Sequence, residues 1–185
     1  MKPDTAAEVI YHINDNDLLV HFNDQWNTFA EDNSSSHLTT EKIYNKSIWD
    51  FIQDAETRHI HEILLKKVRT DKVNLTIPFR CDSPGLRRYI EMNINPVDNG
   101  NIEYLCRLVK TEKRDPILLF SGEVSDPDAL IRMCSWCKKI DTGDNDWKEA
   151  EEAIDVLGLF SKDYMPQISH TICDACYNDL NNKAE

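Results

Sequence analysis

Cys134-Ser135-Trp136-Cys137 and Cys173-Asp174-Ala175-Cys176 are two Cys-x-x-Cys pairs separated by 35 residues. Each pair sets two sulfurs on one tight turn, so the two together supply the four thiolates of a tetrahedral zinc site, and backbone N–H groups of the turns can hydrogen-bond the sulfurs. The intervening loop exceeds the roughly 15 to 20 residues of the commonest spacing, but Trp147 to Leu157 reads as an amphipathic helix able to occupy it. His170 precedes the second pair, as a substitute ligand or as an outer partner of a site that four cysteines already close. The rival chemistry is thiol–disulfide exchange, in which a low-pKa thiolate attacks and its neighbour resolves the intermediate. That reaction needs one pair, usually in a βαβ frame that this sequence lacks. Cys81 and Cys106 fall in strands and read as small buried apolar residues.

Other chemistries find little footing. No serine, histidine and acid arrangement has the context of an activated nucleophile, and the five glycines form neither a Gly-x-Gly cluster nor a phosphate loop. The chain is therefore not expected to be an enzyme. A formal charge of -12 repels phosphate backbones, and the short basic runs Lys66-Lys67-Arg69 and Arg87-Arg88 read as a solvated helix face and a hairpin edge. Nucleic acid is not an expected partner. The 41% apolar residues fill a core, while the longest apolar runs fall short of the roughly 18 residues of a membrane span. Met1 to Thr5 lacks the pattern of a secretory leader, so a reducing, cytoplasmic setting is expected, in which thiols favour metal over disulfides.

The elements that must position these residues follow from periodicity. Glu8 to Ile13 and Leu18 to Phe22 read as a hairpin around the turn residues Asn14 to Asp17. Asn23 or Asp24 caps a short helix whose Trp26, Phe29 and Ala30 point back at the sheet, and a polar loop runs from Glu31 to Thr40. Ser47 to Ile52 forms a turn or two of helix, and Asp54 caps a longer one from about Ala55 to Arg69 with Ile60, Ile63, Leu64 and Val68 as its apolar stripe. Val73 to Phe79 alternates, Asp82-Ser83-Pro84-Gly85 turns the chain, and Leu86 to Asn95 alternates again. After Asp98-Asn99-Gly100, Ile102 to Lys110 is apolar on both faces and belongs at the centre of its sheet.

Strands, then helices, then strands give an α+β domain, an antiparallel five-stranded sheet covered on one face by helices. Residues 1–115 form this unit and are expected to fold by themselves. Residues 116–129 are a linker or docking segment, in which Ile117 to Phe120 is too apolar to float free. Ser125-Asp126-Pro127-Asp128 reads as a helix start, and residues 130–185 form a small zinc-and-helix module.

Tyr11-x-Ile13-Asn14, Asn23-x-x-Trp26-x-x-Phe29-Ala30 and Ser47-x-Trp49-Asp50-Phe51-Ile52, in this strand order, resemble the PAS family of sensory domains over roughly residues 5 to 112. Met133-Cys134-Ser135-Trp136-Cys137-Lys138-Lys139-Ile140 with Trp147 and His170-Thr171-Ile172-Cys173-x-x-Cys176 resembles the Cys-rich tail of some bacterial PAS, GAF and response-regulator proteins. The resemblance implies a cytoplasmic signalling or adaptor protein that senses a small ligand between sheet and long helix. No kinase, cyclase or helix-turn-helix segment remains in the sequence, so the output passes to a protein partner or a second copy of the chain.

Three residues are the candidates for that pocket. Arg88 shares strand parity with Ile90, Met92 and Ile94, which turns its guanidinium toward the apolar side unless a bulge intervenes. There it needs a carboxylate such as Asp50, Asp54 or Glu91, or an anionic ligand. His61 flanks the stripe of the long helix, where the haem-binding PAS sensors carry their axial histidine. Trp49 is a core residue that can also form a pocket wall. The resemblance thus leaves three functions to weigh: a zinc-bearing sensor, a thiol redox switch or oxidoreductase, and a haem gas sensor. Haem needs a large apolar cavity with further pocket features, and only the single histidine is recognisable. The purified protein is expected to show no Soret band, and an absorption maximum near that of haem would reverse the assignment.

Overall fold

The computed structural model describes residues 8–33, 35–52, 54–121, 125–159 and 165–184. The segment at Met1 to Thr5, read above for a leader, lies outside them. Strands β1 (Glu8–Ile13), β2 (Leu19–Phe22), β3 (Leu75–Arg80), β4 (Leu86–Pro96) and β5 (Ile102–Lys113) form an antiparallel sheet in the order β2-β1-β5-β4-β3. The expected central place of the last strand is what the sheet has. Its second face is nevertheless open among the described residues, with Val109 60% exposed.

Helices α1 (Gln25–Asp32), α2 (Thr40–Ile43) and α3 (Ala55–Asp71) lie between the second and third strands. Asp54 caps α3 as expected, its carboxylate accepting from Glu56 N and Thr57 N, which satisfies two of the free donors of the first turn. At the other end Arg69 donates to Gly100 O, Asn14 O and Asp17, tying the last turn of α3 to the first hairpin. The cap expected for α1 differs. Neither Asn23 nor Asp24 makes a side-chain cap bond; the Asn23 amide instead accepts from Ile10 N and donates to Glu8 O, so this polar side chain joins the helix entry to β1. Trp26 packs edge-on against Tyr11 and Phe22, whereas Phe29 is 38% exposed.

The C-terminal third departs further from expectation. Ser125 to Asp128 begins no helix: Ser125–Cys134 is strand β6, lying between β7 (Ile140–Asp141) and β9 (Met165–Thr171) in a second, mixed sheet of order β8-β7-β6-β9, with β8 at Trp147–Lys148. A short apolar run such as Leu130-Ile131 suits a strand as well as a helix, and partners 37 residues downstream, Gln167 and Ile168, decide between them. The expected helix from Trp147 to Leu157 is shortened for the same reason. Trp147 and Lys148 pair with β7, and α4 spans only Ala150–Val156. Strand β9 and the final helix α5 (Asp174–Ala184) complete the chain's described part.

Two buried clusters result. Ile117 and Leu119 dock, as their apolarity requires, into the cluster formed by Met133 and Ile140 of the second sheet, Ala153 of α4 and Leu159 just beyond that helix. The larger cluster joins both halves: Ile60, Leu64, Leu65 and Val68 of α3, and Ile77, Ile94 and Tyr104 of the first sheet, are continuous with Cys134, Trp136, Ile172, Cys173 and Leu180. Helix α3 is thus covered by the sheet and also contacted by α5 and β9.

A buried ion network reinforces the junction. Arg80, at the end of β3 and 6% exposed, pairs with Asp82 and with Glu149 at 2.6 Å, while Arg114 reaches Asp82 at 3.2 Å. Arg80 is the buried cation of the sheet. Arg88 sits beside a register shift between β4 and β5, and its guanidinium donates to Cys81 O at 3.3 Å with no ion pair among the described carboxylates. Removing one partner of a buried pair leaves the other charge uncompensated. Arg80→Met is expected to cost about 3 kcal/mol or more of unfolding free energy in urea, and Arg88→Met less than about 1 kcal/mol; equal losses would remove the network from the junction.

Candidate metal centre and cavity

Cys134 closes β6, and the chain turns back at once into β7. Cys134 N donates to Lys139 O at 2.8 Å and Lys138 N to Cys134 O at 3.0 Å. Lys138 takes the left-handed conformation at φ 60° that such a turn demands. Ser135 N donates to Thr171 O at 2.7 Å, which holds the turn beside the end of β9. Cys173 precedes α5 and Cys176 lies in its first turn. In this way the two pairs converge although their sequence positions are remote.

The four ligand atoms lie within 4.8 Å of one another. All four cysteines are free thiols, and the Cys137 and Cys173 sulfurs are 3.8 Å apart. A tetrahedral zinc with sulfurs at about 2.3 Å places them roughly 3.8 Å from each other, whereas a disulfide brings them to about 2.0 Å. The donor set and its spacing fit a thiophilic cation. Cys173 N also approaches Cys134 Sγ at 3.4 Å, one of the N–H contacts expected to support a thiolate.

Charge favours the same conclusion. Hydrogen bonds from its three neighbours hold the Cys134 thiol low, and hydrogen bonding to that group pushes the Cys137 and Cys176 thiols up. Four crowded sulfurs cannot all ionise unless a cation compensates them. His170 is outside this cluster; it is an exposed residue of β9 whose pKa is lowered by desolvation and by the charge of Lys138.

Between the first sheet and its helices runs a cavity of about 720 Å³, with Tyr11, Ile90 and Met92 among its apolar walls on the sheet side and Trp26 and Ile52 on the helix side. The wall continues onto the metal-bearing turn through Met133, Ser135, Trp136 and Lys138. Of the three candidates drawn from the sequence, only His61 lines this space. Arg88 does not reach it. Trp49 stands aside, its Nε1 donating to Asp17 at 2.9 Å and its ring lying under Arg58. The charged residues that do line the cavity and were missed by sequence reasoning are Arg80, Asp82 and Lys138. Strand parity would have turned Arg80 outward with the exposed Thr76 and Pro78, and its burial goes with its pairing to Asp82 and Glu149.

Compared with protein-family models, with curated proteins and with solved structures, the chain matches none. The site is therefore read from its own geometry. Among the described residues, no helix is long and apolar enough to cross a membrane.

The His61 ring packs 5.0 Å from that of Trp136 at a tilt of 41°, and its Nδ1 is sealed from solvent without a hydrogen-bond partner. Burial lowers its pKa from 6.5 to about 4. A folded-state value below the unfolded one means that the unfolded chain binds more protons between these limits, so stability is full above about pH 6.5 and falls as pH drops toward 4. Near pH 5.5 this amounts to about 1 kcal/mol. His61→Phe is expected to remove that part of the acid sensitivity in urea titrations at pH 8 and 5.5, since loss of metal in acid is common to both proteins. An unchanged difference would mean that His61 is charged in the fold.

Proposed function

We propose that the chain is a non-enzymatic, PAS-like sensory or adaptor protein with a structural zinc ion on Cys134, Cys137, Cys173 and Cys176. The observation that carries the reading is the cavity between sheet and helices, whose wall continues onto the four-cysteine turn. A partly open, mainly apolar space of this volume suits a small ligand. The central β5 and the helices inserted between the second and third strands support the PAS resemblance. Signal output passes to a protein partner or to a second copy of the chain, neither nucleic acid nor membrane being part of the reading.

Zinc would be held by the four thiolates and would supply a fixed cross-link between the end of β6 and the start of α5. The competing redox reading draws on the same cluster of free thiols. Metal analysis with native mass spectrometry of freshly purified protein separates the two. The expected result is about one zinc per chain, with thiols inert to alkylation until a chelator is added, and loss of the metal in Cys134→Ser or Cys173→Ser. Protein without zinc, iron or another thiophilic ion, and with freely reactive thiols, would transfer the assignment to redox chemistry.

A further inference from the structure

The metal turn and the cavity share residues. Ser135 and Trp136 stand between the ligands Cys134 and Cys137, Lys138 follows them, and all three line the cavity. Trp136 is 6% exposed, its ring rests on His61 of α3, and its carbonyl accepts from Arg80 N at 2.8 Å, so this one residue joins the turn, the helix and the sheet around the same space. The conformation of that wall depends on the turn's closure, and the turn's closure on what holds four sulfurs together.

We propose that metal on the four cysteines and a small, predominantly apolar ligand in the cavity are coupled, each strengthening the binding of the other, because the metal-held turn is a wall of the ligand site. This rests on the sensory reading and adds regulation to it. The lining defines the ligand class. Arg80 is already neutralised by Asp82 and Glu149, and the remaining walls are largely aliphatic and aromatic, so a molecule with a hydrocarbon or aromatic body is accepted and a multiply charged one is not. The Lys138 ammonium gives one of its three donors to Ser135 O at 2.7 Å, and the two that remain can meet a polar acceptor at one end of the ligand.

The physical origin of coupling is ordering. Without metal, residues 134–139 are held in their bound shape only by the turn's own hydrogen bonds and by the ligand, and the part of the ordering cost that falls on the ligand lowers its affinity; with metal, that cost has been met beforehand. Binding linkage is reciprocal, so the ligand must raise metal affinity by the same factor.

The test uses the full chain and the neutral fluorophore N-phenyl-1-naphthylamine. Zinc-loaded protein is expected to bind one equivalent, and chelated protein to bind on the order of tenfold more weakly, within the usual span of coupling factors. Saturating fluorophore should shift the midpoint of zinc competition with a chelator by the same factor. Trp136→Ala keeps all four ligands, so it should retain zinc while fluorophore affinity changes and the chelator shift shrinks. If the chelated chain loses its far-ultraviolet dichroism, the decision passes to Trp136→Ala: an affinity and a shift equal to the parent's overturn the coupling. Equal affinity of folded zinc-loaded and folded chelated protein overturns it as well. No saturable binding to the zinc-loaded chain would instead overturn the sensory reading on which the coupling rests.

Discussion

Four sulfurs from two distant segments are gathered within 4.8 Å of one another, and an arrangement of this kind has to be held against both chain entropy and the mutual repulsion of thiolates. Much of the C-terminal half is arranged around that constraint. Strand β6 delivers Cys134, β9 runs parallel to it and delivers Cys173, and α5 begins as soon as the second pair is in place. A parallel pair cannot be joined by a tight turn and needs a crossover connection. Here the connection contains β7, β8 and α4, which explains why the spacing between the cysteine pairs is long for a four-thiolate site.

The same constraint reaches the first sheet. Trp136 can rest on His61 only while the turn keeps its shape, and α5 can place Leu180 in the larger core only while Cys173 and Cys176 fix its start. Helix α3 is consequently shared: one side completes the core of the five-stranded sheet and another receives the metal-bearing half. Residues 1–115 contain a sheet and helices of their own, yet part of the apolar surface of α3 is closed by residues beyond them. Truncation after the first sheet would expose that surface, at roughly 25 cal/mol per Å² of apolar area returned to water.

Polar groups at the junction follow from burial. Asp82 keeps only 1% of its side chain exposed and is satisfied by two arginines, Arg80 and Arg114. Such a cluster is retained only when every member is paired, since a buried unpaired charge costs several kcal/mol. Glu149 and Glu151, from the segment that opens α4, complete the pairing of Arg80, Arg87 and Arg114. Charge and apolar contact therefore fasten the same two halves that the Ile117 to Phe120 segment links in sequence.

The residues with strong local signals could be read without coordinates. Asp54 announces α3, alternation from Leu75 to Lys113 announces three strands, and two Cys-x-x-Cys turns announce a thiolate site, because capping, pleat and knuckle chemistry are each set within a few residues of sequence. Parity along β4 suggested Arg88 as the inward cation, but a register shift beside it and the burial of Arg80 rest on pairings that only the assembled sheet contains. Ser125 to Asp128 offers a helix-start pattern that its pairing with β9 overrides, and Trp147 likewise gives up a helix for a two-residue strand. Whether an apolar residue closes its own domain or a neighbour's is a question of long-range contact. Trp136 was legible as part of a metal turn, and only tertiary structure made it a wall of the cavity.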